Sequence, residues 1–86
     1  MPGNDPHRAI CSHVARLLRE ERQTRALSLN VLADRAGLSR QMVSYVEQQE
    51  RNPTIDTLLR LTAAMDVNLE DLIARARVAA SKHASE

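Results

Sequence analysis

Apolar residues recur at spacings of three and four along most of the chain, and nowhere do β-branched residues alternate through a strand-length run. From Arg8 to Arg25, Ile10, Val14, Leu17 and Leu18 fall on one stripe, which predicts a first helix. Ser28 stands just before Leu29–Arg35, placed to accept from free backbone N–H groups at the start of a short second helix. Gly37 follows as its stop, because glycine tolerates the left-handed conformation that ends many helices. Ser39 opens a third helix from Arg40 to about Gln48, and Asn52-Pro53 then breaks the pattern. Thr54 opens a fourth, to Met65, with Ile55, Leu58, Leu59 and Leu61 apolar. Asn68 opens a fifth, with Leu69, Leu72, Ile73 and Ala76 apolar and Asp71 in its first turn. The opening MPGNDP and the small polar residues from about Ala79 both read as frayed ends. The pattern thus predicts one all-α domain of five helices over residues 8–78, a flexible N-terminus at 1–7 and a flexible tail at 79–86.

Composition narrows what such a domain can do. Eighty-six residues suffice for one small domain, and with 43% apolar but 1% aromatic residues its core must be built from Leu, Val, Ile, Met and Ala. A single cysteine excludes an internal disulfide. On a helix His7 and Cys11 share a face while His13 points elsewhere, so no metal site is expected. No apolar run approaches about 20 residues and no signal peptide is present, which predicts a cytoplasmic protein without a membrane span. Gly3 and Gly37 are the only glycines, leaving no phosphate-cradling loop. H-E-x-x-H and a nucleophile elbow are also absent, and Glu20-Glu21 and Glu70-Asp71 read as solvated faces or a match to a helix dipole. The expectation is a binding protein without enzymatic activity or cofactor. Net charge is only +1, yet residues 1–46 carry seven arginines against four acids, and no acid lies between Arg35 and Val46.

That acid-free run lies within ADRAGLSRQMVSYVE, residues 33–47, whose only acids are Asp34 and Glu47 near its two ends. Ala33 lies four residues before Gly37, six more lead to Val43, and three more to Val46. Two short helices that cross steeply need a small residue at the contact and a positive backbone angle in the turn, which Ala33 and Gly37 supply. Leu32, Leu38, Val43 and Val46 would close the wedge between them. At about 100° per residue, Gln41, Ser44, Tyr45 and Gln48 share the opposite face, with Arg40 at its margin. On their own, Arg40 and Gln41 read as ordinary solvent-facing residues of a first turn, and Tyr45 as a half-buried anchor.

With the following ERNPTIDTLLRLTAAMDVNLEDLI, the segment LSLNVLADRAGLSRQMVSYVE resembles the helix-turn-helix regulators of the Cro and phage-repressor type, the xenobiotic-response-element family. The resemblance spans roughly residues 14–74 and implies a compact, lambda-repressor-like domain whose third helix enters the major groove of double-stranded DNA. On that footing Arg40 suits guanine O6/N7 and Gln41 adenine N6/N7, each through paired hydrogen bonds. Ser44 would meet a base or a phosphate, and Tyr45 a thymine methyl or a phosphate. Ser28, Ser39, Gln48 and Arg51 match positions that approach phosphates. Arg22 and Glu47 match an ion pair that braces the third helix against the first, which makes Arg22 structural.

The chain also departs from its relatives. Leu29 replaces a glutamine that commonly grips a phosphate, and Gln49 and Glu50 replace a common glycine and a basic residue. Losing the glycine implies either a longer third helix or a non-glycine residue in the left-handed region. Together the changes predict modest affinity per subunit and a shallow salt dependence. Relatives of this length often dimerise, so Leu69, Leu72, Ile73 and Ala76 are expected to form a homodimer interface or else to close the monomer core. The expected function is a repressor or autoregulating controller acting on a palindromic operator, without a small-molecule effector. The alternative is an antitoxin-like interaction module with DNA binding secondary, for which residues 78–86 make a short partner-wrapping segment.

Overall fold

The computed structural model describes residues 5–84, which form five helices and no strand. They are α1 (Pro6–Thr24), α2 (Leu29–Ala36), α3 (Arg40–Glu47), α4 (Ile55–Ala64) and α5 (Leu69–Ala84). The caps anticipated from sequence fall into place: Ser28 Oγ accepts from Val31 N at 3.1 Å, Ser39 Oγ from Met42 N at 3.0 Å, and Thr54 Oγ1 from Thr57 N at 3.1 Å. Each contributes about 1 kcal/mol by satisfying a donor that the helix cannot. Asn68 precedes α5 and its side-chain amide reaches Asp71 Oδ2 at 3.3 Å.

Both outer helices are longer than the apolar pattern indicated. α1 begins at Pro6, because Asp5 accepts from His7 N at 3.0 Å and proline suits a first helical position whose N–H would be unbonded anyway. α5 continues to Ala84, well into the expected tail, since Ala79, Ala80 and Lys82 favour helix even without an apolar stripe. Residues 1–4 and 85–86 of the two expected flexible ends lie outside the described residues.

Three of the four connections follow one plan. A residue with positive φ ends the helix (Ala26 at 55°, Gly37 at 70°, Asp66 at 58°), an apolar residue follows, and then comes the next cap. The apolar residues are Leu27, Leu38 and Val67, each packed against the core. Their N–H groups bond back to Arg22 O at 3.1 Å, Ala33 O at 2.9 Å and Thr62 O at 2.9 Å, which satisfies carbonyls left free at the helix end.

The core runs through the middle of the bundle, from Val14, Leu17 and Leu18 of α1 to Leu58, Leu61 and Met65 of α4. Its most extensive helix pairing is α1 against α5. That pairing corrects the expected dimer surface: Leu72 and Ala76 are 0% exposed and Leu69 is 8% exposed, because the α5 stripe is already occupied by its own chain. Ile73 packs partly against the same core. On α4, by contrast, Ile55 and Leu59 remain 63% and 51% exposed. α5 is also fastened to α1 by Arg75, which donates to Glu21 Oε2 at 2.8 Å. Arg75, then Arg25, hold the Glu21 carboxyl below the usual carboxylate range against a smaller opposing effect of burial. Among the described residues no helix is long and apolar enough to cross a membrane.

Candidate nucleic-acid interface

α3 is gripped along one side and bare along the other. Val43 and Val46 are wholly buried against α2 and α1, beside Leu32 and Ala33. Leu38 packs at the edge of this wedge. A small residue at 33 and a left-handed one at 37 therefore do here what their spacing required. Gly37 is also confined from outside: a Cβ on it would stand 3.2 Å from Arg60 Nη1 of α4.

The end of α3 is pinned by charge. Arg22 of α1 donates from Nε to Glu47 Oε2 at 2.7 Å and from Nη2 to Oε1 at 3.0 Å. Its Nη1 donates to Leu27 O at 2.9 Å, so one guanidinium ties together α1, the first turn and α3. Such fork-on-fork geometry is the strong form of an ion pair. Glu47, outweighing partial burial, raises the pKa of Arg22 further above its ordinary value. Arg22 thus has its donors turned inward, in keeping with a bracing role.

Arg40, Gln41 and Gln48 are exposed on the bare side, with Ser44 and Tyr45 half-buried between them. The side chains are not independent. Gln41 Nε2 donates to Tyr45 Oη at 2.5 Å, and Gln48 Nε2 donates to Ser44 Oγ at 3.0 Å, each across one helical turn. Arg51, from the segment after α3, places its guanidinium carbon 4.8 Å from the centroid of the Tyr45 ring. Two of the expected phosphate residues, Gln48 and Arg51, are thus in contact with expected reading-face residues, Ser44 and Tyr45 respectively. The capping hydroxyls of Ser28 and Ser39 lie at the N-termini of α2 and α3, exposed. Each accepts a cap bond and keeps its own hydrogen for an outside acceptor such as a phosphate.

The departures acquire physical reasons. Leu29, at the first position of α2, packs partly against the core, exchanging a polar reach for apolar contact. α3 does not lengthen. Gln49 adopts φ 62°, and Glu50 N closes the turn on Tyr45 O at 2.9 Å. Ser12 of α1 donates to Gln49 Oε1 at 2.8 Å, a tie that no motif reading identified. The Gln41–Tyr45 and Ser44–Gln48 pairs were signalled by their spacing of four, whereas the Ser12–Gln49 and Arg60–Gly37 neighbours carry no local signal. Glu50 is exposed. Beside it an open cleft of about 480 Å³ separates the start of α1 from the segment after α3, with Asp5, Arg8, Glu50 and Arg51 among its lining residues.

Residues 18–72 match the helix-turn-helix family. Over 62 residues the chain is 36% identical to control protein C.SmaI of Serratia marcescens, covering 72% of this chain and 74% of that one. It spans less than half the length of some other curated relatives that it matches. Among solved structures it is similar to the restriction-modification controller protein C.AhdI of Aeromonas hydrophila. There the TM-score is 0.68 and the identity 33%, over 73% of this chain and 94% of that one. It is also similar to SinR, a master regulator for biofilm formation, in complex with DNA. In that case the TM-score is 0.65 and the identity 28%, over 70% and 97% of the two chains.

Proposed function

This chain belongs to the helix-turn-helix family of xenobiotic-response-element type, and from that premise we propose that it regulates transcription by reading double-stranded DNA with the bare face of α3. One observation carries the reading. α3 is locked from behind by Val43, Val46 and the Arg22–Glu47 fork, while Arg40, Gln41, Ser44 and Tyr45 face outward on a stretch free of acids. A reading helix needs this division, since base edges are recognised only by donors and acceptors held at fixed positions. Arg40 and Gln41 are assigned to base edges. Ser28, Ser39, Gln48 and Arg51 are assigned to phosphates, where they set register without reading sequence.

The protein acts as a homodimer on a palindromic operator, with half-sites about 10 bp apart, as a repressor or an autoregulating controller. The likeness to restriction-modification controllers supports the latter role. Because α5 spends its apolar stripe inside the monomer, the dimer surface is assigned to Ile55 and Leu59 of α4. Asp56 and Arg60 flank that stripe with opposite charge, which suits pairing with a second copy about a two-fold axis.

Selection of DNA from random fragments at moderate salt tests the reading, with an Arg40→Ala/Gln41→Ala variant alongside. Enrichment of a palindrome by the native protein alone supports it. Equal enrichment by the two proteins would move base reading off α3, and no enrichment by either would remove the DNA assignment.

A further inference from the structure

We propose that Tyr45 is a positioning residue that joins the base-reading and phosphate-binding parts of this surface, aiming Gln41 with its hydroxyl and Arg51 with its ring. The inference rests on the DNA-binding reading and deepens it.

Consider first what the hydroxyl does to Gln41. A glutamine amide offers two N–H donors and one carbonyl acceptor. The phenol oxygen takes one N–H, at 2.5 Å. What remains is one donor and one acceptor at the tip of the side chain, the complement that adenine N7 and N6 require. A free glutamine rotates through many rotamers and its amide turns over readily. Bound to the phenol, it has lost that freedom before any base arrives, so the ordering cost no longer subtracts from recognition.

The ring does the same for Arg51. This arginine lies outside α3, on an irregular segment, and is exposed. Among the described residues no carboxylate pairs with it; the Tyr45 ring holds its guanidinium at 4.8 Å from the centroid. Stacking occupies the face of the guanidinium and leaves the in-plane N–H groups free, which are the ones that grip a phosphate. Tyr45 is meanwhile engaged at both ends, half-buried, with Gln41 on its hydroxyl and Arg51 on its ring. That leaves it poorly placed to contact a thymine methyl itself. Its work is exerted through two neighbours of different function.

The two contacts use different atoms of one side chain, so they can be separated. The chain has no Phe or Trp, so a ring-current shift at Arg51 that survives in Tyr45→Phe and is lost in Tyr45→Leu belongs to the ring at position 45 rather than to a histidine imidazole. In the NMR spectrum of the free protein, Arg51 δ-protons are expected upfield in the native chain and in Tyr45→Phe, and at ordinary positions in Tyr45→Leu. The Gln41 side-chain amide is expected to shift in both variants. Native Arg51 protons at ordinary positions would overturn the inference whatever the DNA data show.

On the selected operator, Tyr45→Phe should lower discrimination at the base read by Gln41 by about tenfold and leave the salt slope unchanged. Tyr45→Leu should also reduce that slope by about one, as Arg51→Ala does, and the Tyr45→Leu/Arg51→Ala pair should reduce it no further. An unchanged base preference in Tyr45→Phe, or an unchanged slope in Tyr45→Leu, would overturn it, with circular dichroism confirming that each variant is folded. A native protein that shows the ring-current shifts but enriches no sequence would sink the DNA reading alone. One that enriches a sequence without those shifts would sink the role of Tyr45 alone.

Discussion

Ahead of α3 the chain reverses through Gly37 at φ 70°, and behind it through Gln49 at φ 62°. The closing bonds match: Leu38 N to Ala33 O and Glu50 N to Tyr45 O, both 2.9 Å. Beyond the backbone the two turns differ in almost every respect. At Gly37 a side chain would press on Arg60, and the next residue, Leu38, is drawn into the core. At Gln49 the side chain has a partner in Ser12, and the next residue, Glu50, stays in solvent. The first turn is held by packing and by glycine's indifference to φ. The second is held by hydrogen bonds and charge in spite of a side chain that disfavours φ > 0. The backbone demand is common to both, and what stands outside the Cβ position decides which residue meets it. The polar turn carries Arg51 to the Tyr45 ring, beside the surface assigned to DNA.

The most severe way to break the second turn is to cut the fork that precedes it. Glu47→Ala or Arg22→Ala leaves a partly buried charge without its partner, and about 3 kcal/mol of stability is expected to be lost in urea unfolding. Replacing both residues with apolar side chains should recover most of that loss, because the solitary charge is what costs. A small loss for either single change would mean that packing alone fixes the end of α3.

The first turn is tested by exchanging its residue with the one used after α1. Gly37→Ala is expected to cost about 1–2 kcal/mol, since alanine resists the left-handed region and crowds a flexible arginine tip. Ala26→Gly, at φ 55°, should be neutral or stabilising by up to about 1 kcal/mol in the same assay. Equal tolerance of alanine at 37 would place the demand for glycine elsewhere than in the backbone.

A double-mutant cycle sharpens the contrast. Ser12→Ala should cost about 1 kcal/mol in the native chain and almost nothing once Gln49 is glycine, because the bond it breaks is already gone. Gln49→Gly alone should be close to neutral, with the relief of φ offsetting the lost bond. Full additivity of the two changes would show that the Ser12 tie contributes nothing.

The smallest effect is expected far from either turn, where Glu21 joins α1 to α5. Its folded pKa is depressed by Arg75 and Arg25, so its share of stability is complete above the ordinary carboxylate value and is lost as pH falls through the lower folded one. With Arg75 half in water, that share is held to about 0.5 kcal/mol, seen as a stability difference from Glu21→Gln that shrinks as pH falls below the ordinary carboxylate value and vanishes once it is below the lower folded one.

Much of this was legible in the chain. Helix spacing, the caps at Ser28, Ser39 and Thr54, and the Ala33–Gly37–Val43–Val46 wedge are local, set by residues within a few positions of one another. Local rules therefore suffice to read them. The outward set on α3 followed from the same period, and the Arg22–Glu47 brace from the likeness to related chains. The α5 stripe showed the limit of such reading. Periodicity identified Leu69, Leu72 and Ala76 as one face, and only the docking of α1 determined that the face looks inward and that Ile55 and Leu59 of α4 look out.

Sequence by itself thus determined the five helices, the starts of all but α1 and the polarity of each face, because those depend on neighbours along the chain. Tertiary structure decided which apolar face is spent in the core, that Gln49 rather than a longer helix ends α3, and that Arg51 meets Tyr45. Each of these turns on groups brought together only when helices distant in sequence pack, and free energies of that origin leave no periodic trace in the chain that encodes them.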